Sequence, residues 1–298
     1  MPSNLQLFSA AALCVAIGAA LPAESRSAET PAPPLRPFAR MDVAIPGSFS
    51  GAPASAAAAE AVSTVALSAA RSGNATVATS RGARVQRALH ELISGVTHQS
   101  HPLALRYAFE AYYGYRAAHP DKVRKPYLYF VDFGLDSRTP RGYVFDMDNL
   151  RVVDGPFTVA HGRGSGSKDG VPTRFSNRPS SSATSLGLFV AQETYSFVGH
   201  DSGRPYRSIG LRLNGVSGGF NSAARSRGVV VHGAPYVTES GAGRSQGCPA
   251  MEPDRAQRLI PEIGGGGLVF LFSPNDPEWL RSDPWVNGDG TERGLVRG

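Results

Sequence analysis

A thiol and an imidazole stand sixteen residues apart in this chain, each at the end of a segment whose composition fixes it in place. Cys248 closes Gly243-Arg244-Ser245-Gln246-Gly247 and is followed by Pro249-Ala250; His232 closes the apolar run Val229-Val230-Val231 and is followed by Gly233. A free thiol titrates near 8.5, so at neutral pH only a few per cent is the nucleophilic thiolate. An imidazole that takes the proton holds the pair as thiolate and imidazolium. An apolar strand ending in His232 would fix the ring, and a sharp turn at Gly233 would leave a backbone carbonyl free to orient it. Gly247 would let its backbone N–H face the oxyanion of an acyl intermediate. The competing reading is structural, because a lone cysteine is most often a small buried hydrophobe.

The context of the cysteine favours chemistry. Residues 5–21 are almost wholly apolar and end in small residues, which reads as a secretory signal peptide over 1–23 that carries Cys14 away with it. That leaves Cys248 unpaired in an exported protein, where thiols normally pair. No later segment is apolar for long enough to span a bilayer. The formal charge is +6, carried almost entirely by arginine, with lysine only at 122, 125 and 168. The arginines are scattered without basic runs or aromatic interleaving, which excludes a nucleic-acid binder and describes a solvated basic surface.

Residues 24–82 are rich in Ala, Ser, Pro and Gly and read as a disordered linker. A helical segment follows over 83–120. Val85, Leu89, Leu92 and Ile93 share one face before Gly95, and Pro102 opens a second helix carrying Leu103, Leu105, Tyr107, Phe109, Tyr112 and Tyr113 as a packing face. From residue 121 to 275 the pattern is mainly β. Strands are expected over 127–133 and 142–147 as a hairpin, then at 150–153, 157–161, 186–192, 208–213, 228–232 and 268–272. Many short strands at this spacing predict a sandwich or barrel. One late helix starts at Pro253, buries Ala256, Leu259 and Ile260, and is limited by Pro261; residues 276–298 form a polar tail in which Trp279 and Trp285 are possible anchors.

Secondary candidates are weaker. His161 either lines the site or hydrogen-bonds within a turn. Asn221 and Arg227, just before the His232 strand, are candidates to contact a substrate carboxylate, and Arg244, Ser245 and Gln246 precede the nucleophile as further substrate contacts. His98 and His101 are three apart, but Gly95 and Pro102 break the helix around them and no acid or thiol stands at ligand spacing, so no metal is expected. Gly162-Arg163-Gly164-Ser165-Gly166 lacks the lysine and helix of a phosphate-binding loop. Asp132 and Asp146 sit in alternating strands and are not paired for acid–base work. No cofactor is implied.

Val229-Val230-Val231-His232-Gly233 followed by Gly243-Arg244-Ser245-Gln246-Gly247-Cys248-Pro249-Ala250 resembles the active-site signature of the L,D-transpeptidases, the murein cross-linking cysteine enzymes. The resemblance extends through Asp132-Phe133, Val159-Ala160-His161-Gly162, Phe175-Ser176-Asn177, Ser185-Leu186-Gly187 and Leu211-Arg212-Leu213-Asn214-Gly215, so it covers most of residues 84–273. It implies an L,D-transpeptidase-like β fold with Cys248 as nucleophile, His232 as its activating base and the Gly233 carbonyl as the group that orients the ring. It further implies peptidoglycan stem peptides as substrates and a periplasmic location. Two positions depart from the commoner pattern: Gln246 stands where a histidine precedes the cysteine by two, and Pro249-Ala250 where an arginine or asparagine follows. The expected function is L,D-transpeptidation through a thioester. The alternatives are an L,D-carboxypeptidase or murein hydrolase using the same pair, or a non-catalytic wall-binding protein.

Overall fold

The computed structural model describes residues 80–167 and 170–286. The expected leader over 1–23, nearly all of the linker and the last twelve residues of the tail lie outside them. The described chain opens with helix α1 over residues 80–92. A 3-10 turn at Ile93–Gly95 leads to helix α2, Ala104–Ala118. Val85, Ala88 and Leu92 bury one face of α1, whereas Ile93 is left exposed because the tighter turn rotates it off that face. On α2 the aromatic face packs as expected: Phe109 meets Phe145 edge-on at 5.6 Å, and Tyr107 stacks on Phe272 at 6.1 Å. Pro102 precedes the helix by two residues instead of opening its first turn.

Twelve strands follow. They are β1 (Tyr127–Asp132), β2 (Gly142–Asp146), β3 (Arg151–Phe157), β4 (His161–Gly162), β5 (Gly187–Asp201), β6 (Arg204–Gly215), β7 (Val230–Gly233), β8 (Val237–Thr238), β9 (Gly241–Ala242), β10 (Arg244–Ser245), β11 (Ala250–Met251) and β12 (Leu268–Phe272). Eight of them form one mixed sheet in the order β11-β7-β6-β5-β12-β1-β2-β3, so the fold is mainly β; β10 pairs with β4 and β8 with β9 in two small ribbons. The β1–β2 hairpin forms as expected, with Phe130 opposite Tyr143. In the middle of the sheet β12 runs parallel to β1, with Phe270 beside Phe130. Every residue of Leu268–Phe272 is buried. A strand covered on both faces needs an unbroken apolar run, and this one has it.

The late helix α3, Pro253–Ile263, has proline at its first turn and buries Ala256, Leu259, Ile260 and Ile263 against β6 and β7. Pro261 falls inside it instead of ending it. Its missing N–H forfeits one helical bond in the last turn, and the Ile260 and Ile263 side chains still hold the end in the core. The Arg255 and Arg258 guanidiniums reach Asp154 on β3 and tie α3 across to that strand. The polar tail needs correction in its described part. Residues Pro277–Ser282 form helix α4, capped by the Asp276 carboxylate on the Trp279 N–H at 3.0 Å. Trp279 is wholly buried against Phe270 and Phe272, and the Trp285 indole donates to the Val216 carbonyl at 2.7 Å. The helices and the sheet share one apolar core, which contains Val85, Phe109, Phe130, Phe189, Ile260, Phe270 and Trp279 alike.

Candidate active site

The site lies at the β11 edge of the sheet. β7 pairs antiparallel with β6 on one side, His232 opposite Gly210, and parallel with β11 on the other, His232 beside Ala250. His232 is 7 % exposed. Its Nδ1 lies 3.1 Å from the Gly233 carbonyl. A carbonyl only accepts, so Nδ1 carries the proton and Nε2 presents a lone pair. The same carbonyl accepts the Ser208 hydroxyl at 2.9 Å, so a buried serine on β6 fixes the group that orients the ring. Phe197 and Tyr236 bracket the imidazole edge-on at 5.8 and 6.4 Å. Burial holds the imidazole below its ordinary pKa, with the Gly233 carbonyl pulling the other way.

Cys248 is half-buried and unpaired. It ends a turn that the Ser245 hydroxyl staples from inside, donating to the Cys248 carbonyl at 2.6 Å while accepting the Gly247 N–H at 3.1 Å. Gly247 sits at φ +120°, backbone that a side chain would strain, and a Cβ there would lie 3.0 Å from the Ala183 carbonyl. The sulfur accepts the Val230 N–H at 3.5 Å and lies 3.9 Å from the Gly228 carbonyl. Since Ala250 is level with His232, the sulfur lies beside Val230, two residues upstream, or roughly 6–7 Å along the strand. Cys248 thus precedes β11 and lies alongside the start of β7, the strand that carries His232. Burial pushes the thiol above its ordinary range, and the Val230 N–H and the Arg227 charge offset part of that. Desolvation works against both charges of the thiolate–imidazolium pair expected from the sequence.

The remaining sequence candidates separate. Arg244 and Gln246 are exposed on the rim of the turn, and Arg244 reaches the Gly166 carbonyl at 3.3 Å. Four expectations are corrected. Ser245 is spent on the turn. The Gly247 N–H is spent on Ser245, and the Cys248 N–H is one of those with no acceptor among the described residues. Asn221 is wholly buried, donating to the Leu188 carbonyl at 2.9 Å and accepting the Ser217 N–H at 2.8 Å, so it closes the path between β6 and β7 and cannot reach a ligand. Arg227 spends both terminal nitrogens on protein oxygens: Ser176 carbonyl at 2.7 Å, Ser185 hydroxyl at 2.5 Å, Ser181 hydroxyl at 3.1 Å and Ala183 carbonyl at 2.8 Å.

His161 resolves toward the turn. It is wholly buried, accepts Arg141 Nη2 on Nδ1 at 3.0 Å, and therefore donates Nε2–H to the Ser167 carbonyl at 3.1 Å. Burial first, and the Arg141 charge second, lower its pKa to about 4, so it stays neutral. It fixes the glycine-rich loop after β4, a strand that pairs with β10 just before the Cys248 turn, Ser245 beside Gly162. Ser208, Tyr195, Tyr206, Phe197 and Tyr236 were missed by the sequence reading. The phenols of Tyr195, Tyr206 and Tyr236 all feel the Cys248 sulfur, and only the alternation of Tyr195 and Phe197 along β5 hinted at them. His98 bonds Thr97 and His101 accepts the Leu103 N–H; among the described residues no group of three or more potential metal ligands gathers, and no helix is long and apolar enough to cross a membrane.

The sequence profile of the L,D-transpeptidase catalytic domain matches residues 97–272, more than half of the chain. The chain belongs to that family. Among solved structures it is similar to an L,D-transpeptidase from Mycobacterium smegmatis, at 16 % identity and a TM-score of 0.32 over 49 % of this chain and 58 % of that one. The L,D-transpeptidase from Stackebrandtia nassauensis is 16 % identical with a TM-score of 0.32 over 57 % and 69 % of the two chains. That from Xylanimonas cellulosilytica is 16 % identical with a TM-score of 0.29 over 57 % and 79 %. The match thus spans 58 % of the length of the first of these. No curated protein matches the chain.

Proposed function

We propose that the chain is an exported L,D-transpeptidase that cross-links peptidoglycan stem peptides through a thioester on Cys248. The observation that supports the reading is an unpaired, half-buried cysteine on a glycine turn beside the strand that carries His232, whose Nδ1 proton is held by the Gly233 carbonyl, which leaves Nε2 to serve as the base. Nε2 takes the thiol proton as sulfur attacks the carbonyl that precedes the donor stem's terminal D-residue. The tetrahedral oxyanion faces the open Cys248 N–H. Collapse breaks the peptide C–N bond, and the His232 imidazolium returns its proton to the departing amine. An acceptor side-chain amine then attacks the thioester, loses a proton to His232, and leaves a new amide bond with sulfur expelled and reprotonated. By family likeness the acceptor is a diamino acid of a second stem. Arg244 and Gln246, exposed on the rim, are the candidates for gripping the donor. In this reading residues 1–23 direct export, 24–82 tether, and 83–275 carry the catalytic unit to murein in the periplasm.

The test is product analysis by mass on purified tetrapeptide muropeptides. Wild type gives cross-linked dimers and free terminal D-residue, and Cys248→Ala gives neither. Trimmed monomers in place of dimers would make water the acceptor and the protein a carboxypeptidase. Full turnover by Cys248→Ala would remove the nucleophile from the account.

A further inference from the structure

Arg227 is satisfied as a hydrogen-bond donor and unneutralised as a charge. Its four bonds all go to neutral oxygens of the 176–185 segment, two hydroxyls and two carbonyls, and no carboxylate among the described residues pairs with it. Its neighbour Arg225, by contrast, is exposed and paired with Glu193 at 2.6 Å. The guanidinium is half-buried, and its Nη2 lies 3.7 Å from where a Cβ on Gly247 would stand, so the charge sits against the turn that ends in Cys248. A cation held by four bonds cannot swing away to pair elsewhere, and in a partly desolvated site it is weakly screened.

We propose that Arg227 is a positioning residue for the nucleophile: its guanidinium is a fixed positive charge, clamped by Ser176, Ser181, Ala183 and Ser185, that favours the thiolate of Cys248 over the thiol. This rests on the reading of Cys248 as the nucleophile. Among the described residues, Arg227 from the segment before β7, Tyr195 on β5, Tyr206 on β6 and Tyr236 after β7 act electrostatically on the sulfur, and His232 stands on the adjoining strand β7. The three phenols are neutral and His232 is held neutral by burial, so Arg227 is the permanent charge in the set. Its influence falls on the sulfur, and the Gly233 carbonyl acts on the imidazole. Both favour moving the proton from sulfur to Nε2, which burial alone opposes. Sequence reading took this arginine for a substrate contact; its geometry instead serves the attacking atom.

The experiment is the pH profile of Cys248 alkylation by iodoacetamide in the full-length protein, with thermal melting alongside. An opposite charge at this range moves a thiol by about one pH unit at partial exposure. Arg227→Gln, which keeps some hydrogen bonding and removes the charge, is expected to raise the midpoint by about one unit and to slow alkylation at pH 7 roughly tenfold. Arg227→Lys, which keeps the charge and loses most of the clamp, is expected to stay within about 0.3 units of wild type while melting lower. Equal shifts in both variants, or no shift in either, would overturn the proposal and leave Arg227 as a loop clamp. Should Arg227→Gln fail to fold, Arg227→Lys decides alone: a wild-type midpoint supports the proposal, and a rise of a full unit overturns it. Alkylation needs no muropeptide, so its outcome is separable from failure of the transpeptidase reading, which shows as absent acyl transfer by wild type.

Discussion

Replacing Gly247 by alanine probes the turn that presents the nucleophile. Gly247 sits at φ +120°, and an added Cβ would lie 3.0 Å from the Ala183 carbonyl, a backbone atom with little room to give. Holding a non-glycine residue in such a conformation costs about 1–3 kcal/mol. The close approach puts Gly247→Ala toward the upper end of that range. At about 3 °C per kcal/mol for a unit of this size, the melting temperature should fall by about 6–10 °C. Gly203, at the tip of the β5–β6 hairpin, is the internal control: φ is +79° with nothing within 4 Å of an added Cβ, so alanine there should cost about 1–2 kcal/mol from handedness alone. Function should separate the two further. Shifting the turn by about 1 Å moves the sulfur off its line of attack and costs on the order of a hundredfold in turnover, whereas Gly203→Ala should turn over as wild type does. Scanning fluorimetry and muropeptide turnover measure both effects. If Gly247→Ala melts within 2 °C of wild type and turns over at an unchanged rate, the strained turn does not position the thiol.

Other substitutions test the supporting groups. Ser208→Ala removes one of two donors to the Gly233 carbonyl; the loss of about 1 kcal/mol should lower kcat on the order of fivefold with KM unchanged, and an altered KM with intact kcat would place Ser208 against substrate instead. Asn221→Ala strands the Ser217 N–H inside the fold and leaves the Leu188 carbonyl with the Val216 N–H, costing about 1–3 kcal/mol in denaturant titration; a rise in KM without loss of stability would restore its role as a substrate contact. His161 supplies a pH prediction. Its pKa falls from 6.5 to about 4 on folding, so between those values the unfolded chain binds more protons and stability declines as pH drops from 6.5 through 4, by up to about 3 kcal/mol. His161→Gln, which keeps an acceptor for Arg141 and a donor for Ser167, should flatten that decline; parallel pH curves for the two proteins in urea unfolding would contradict it.

How far the site was legible depends on how local its contacts are. The Nδ1 bond of His232 to the next residue's carbonyl follows from strand geometry and a following glycine, and sequence reached it. The Ser245 staple is equally local, yet its consequence was missed: a hydroxyl two residues before Gly247 takes the N–H that was expected to face an oxyanion. Arg227 and Asn221 misled for the opposite reason. All of Arg227's partners lie 42 to 51 residues away in sequence and one of Asn221's lies 33 away, and residue type alone cannot say whether an amide or guanidinium faces ligand or backbone. In the fold, β12 was clear because an apolar run buried on both faces has one reading, and the β1–β2 hairpin because alternation and a turn agree. β5 was read only to 192, although the strand runs to Asp201. Beyond that point both faces are partly exposed and the apolar period fades as the hairpin leaves the core. The four-residue β7 was read from its apolar run, whereas the two-residue β10 and β11 are set by pairing across the turn, which no local pattern encodes. The α4 helix was lost among polar residues, with only Pro277 and the capping Asp276 marking its start.

The most direct measurement is intact-protein mass after mixing the full chain with a tetrapeptide muropeptide donor and no acceptor, followed by peptide mapping. A mass gain equal to the donor less its terminal D-residue, localised to Cys248, labile to hydroxylamine and absent from Cys248→Ala, is the predicted result. Product formation with Cys248 unmodified, or an adduct on any other residue, would contradict the account at its centre.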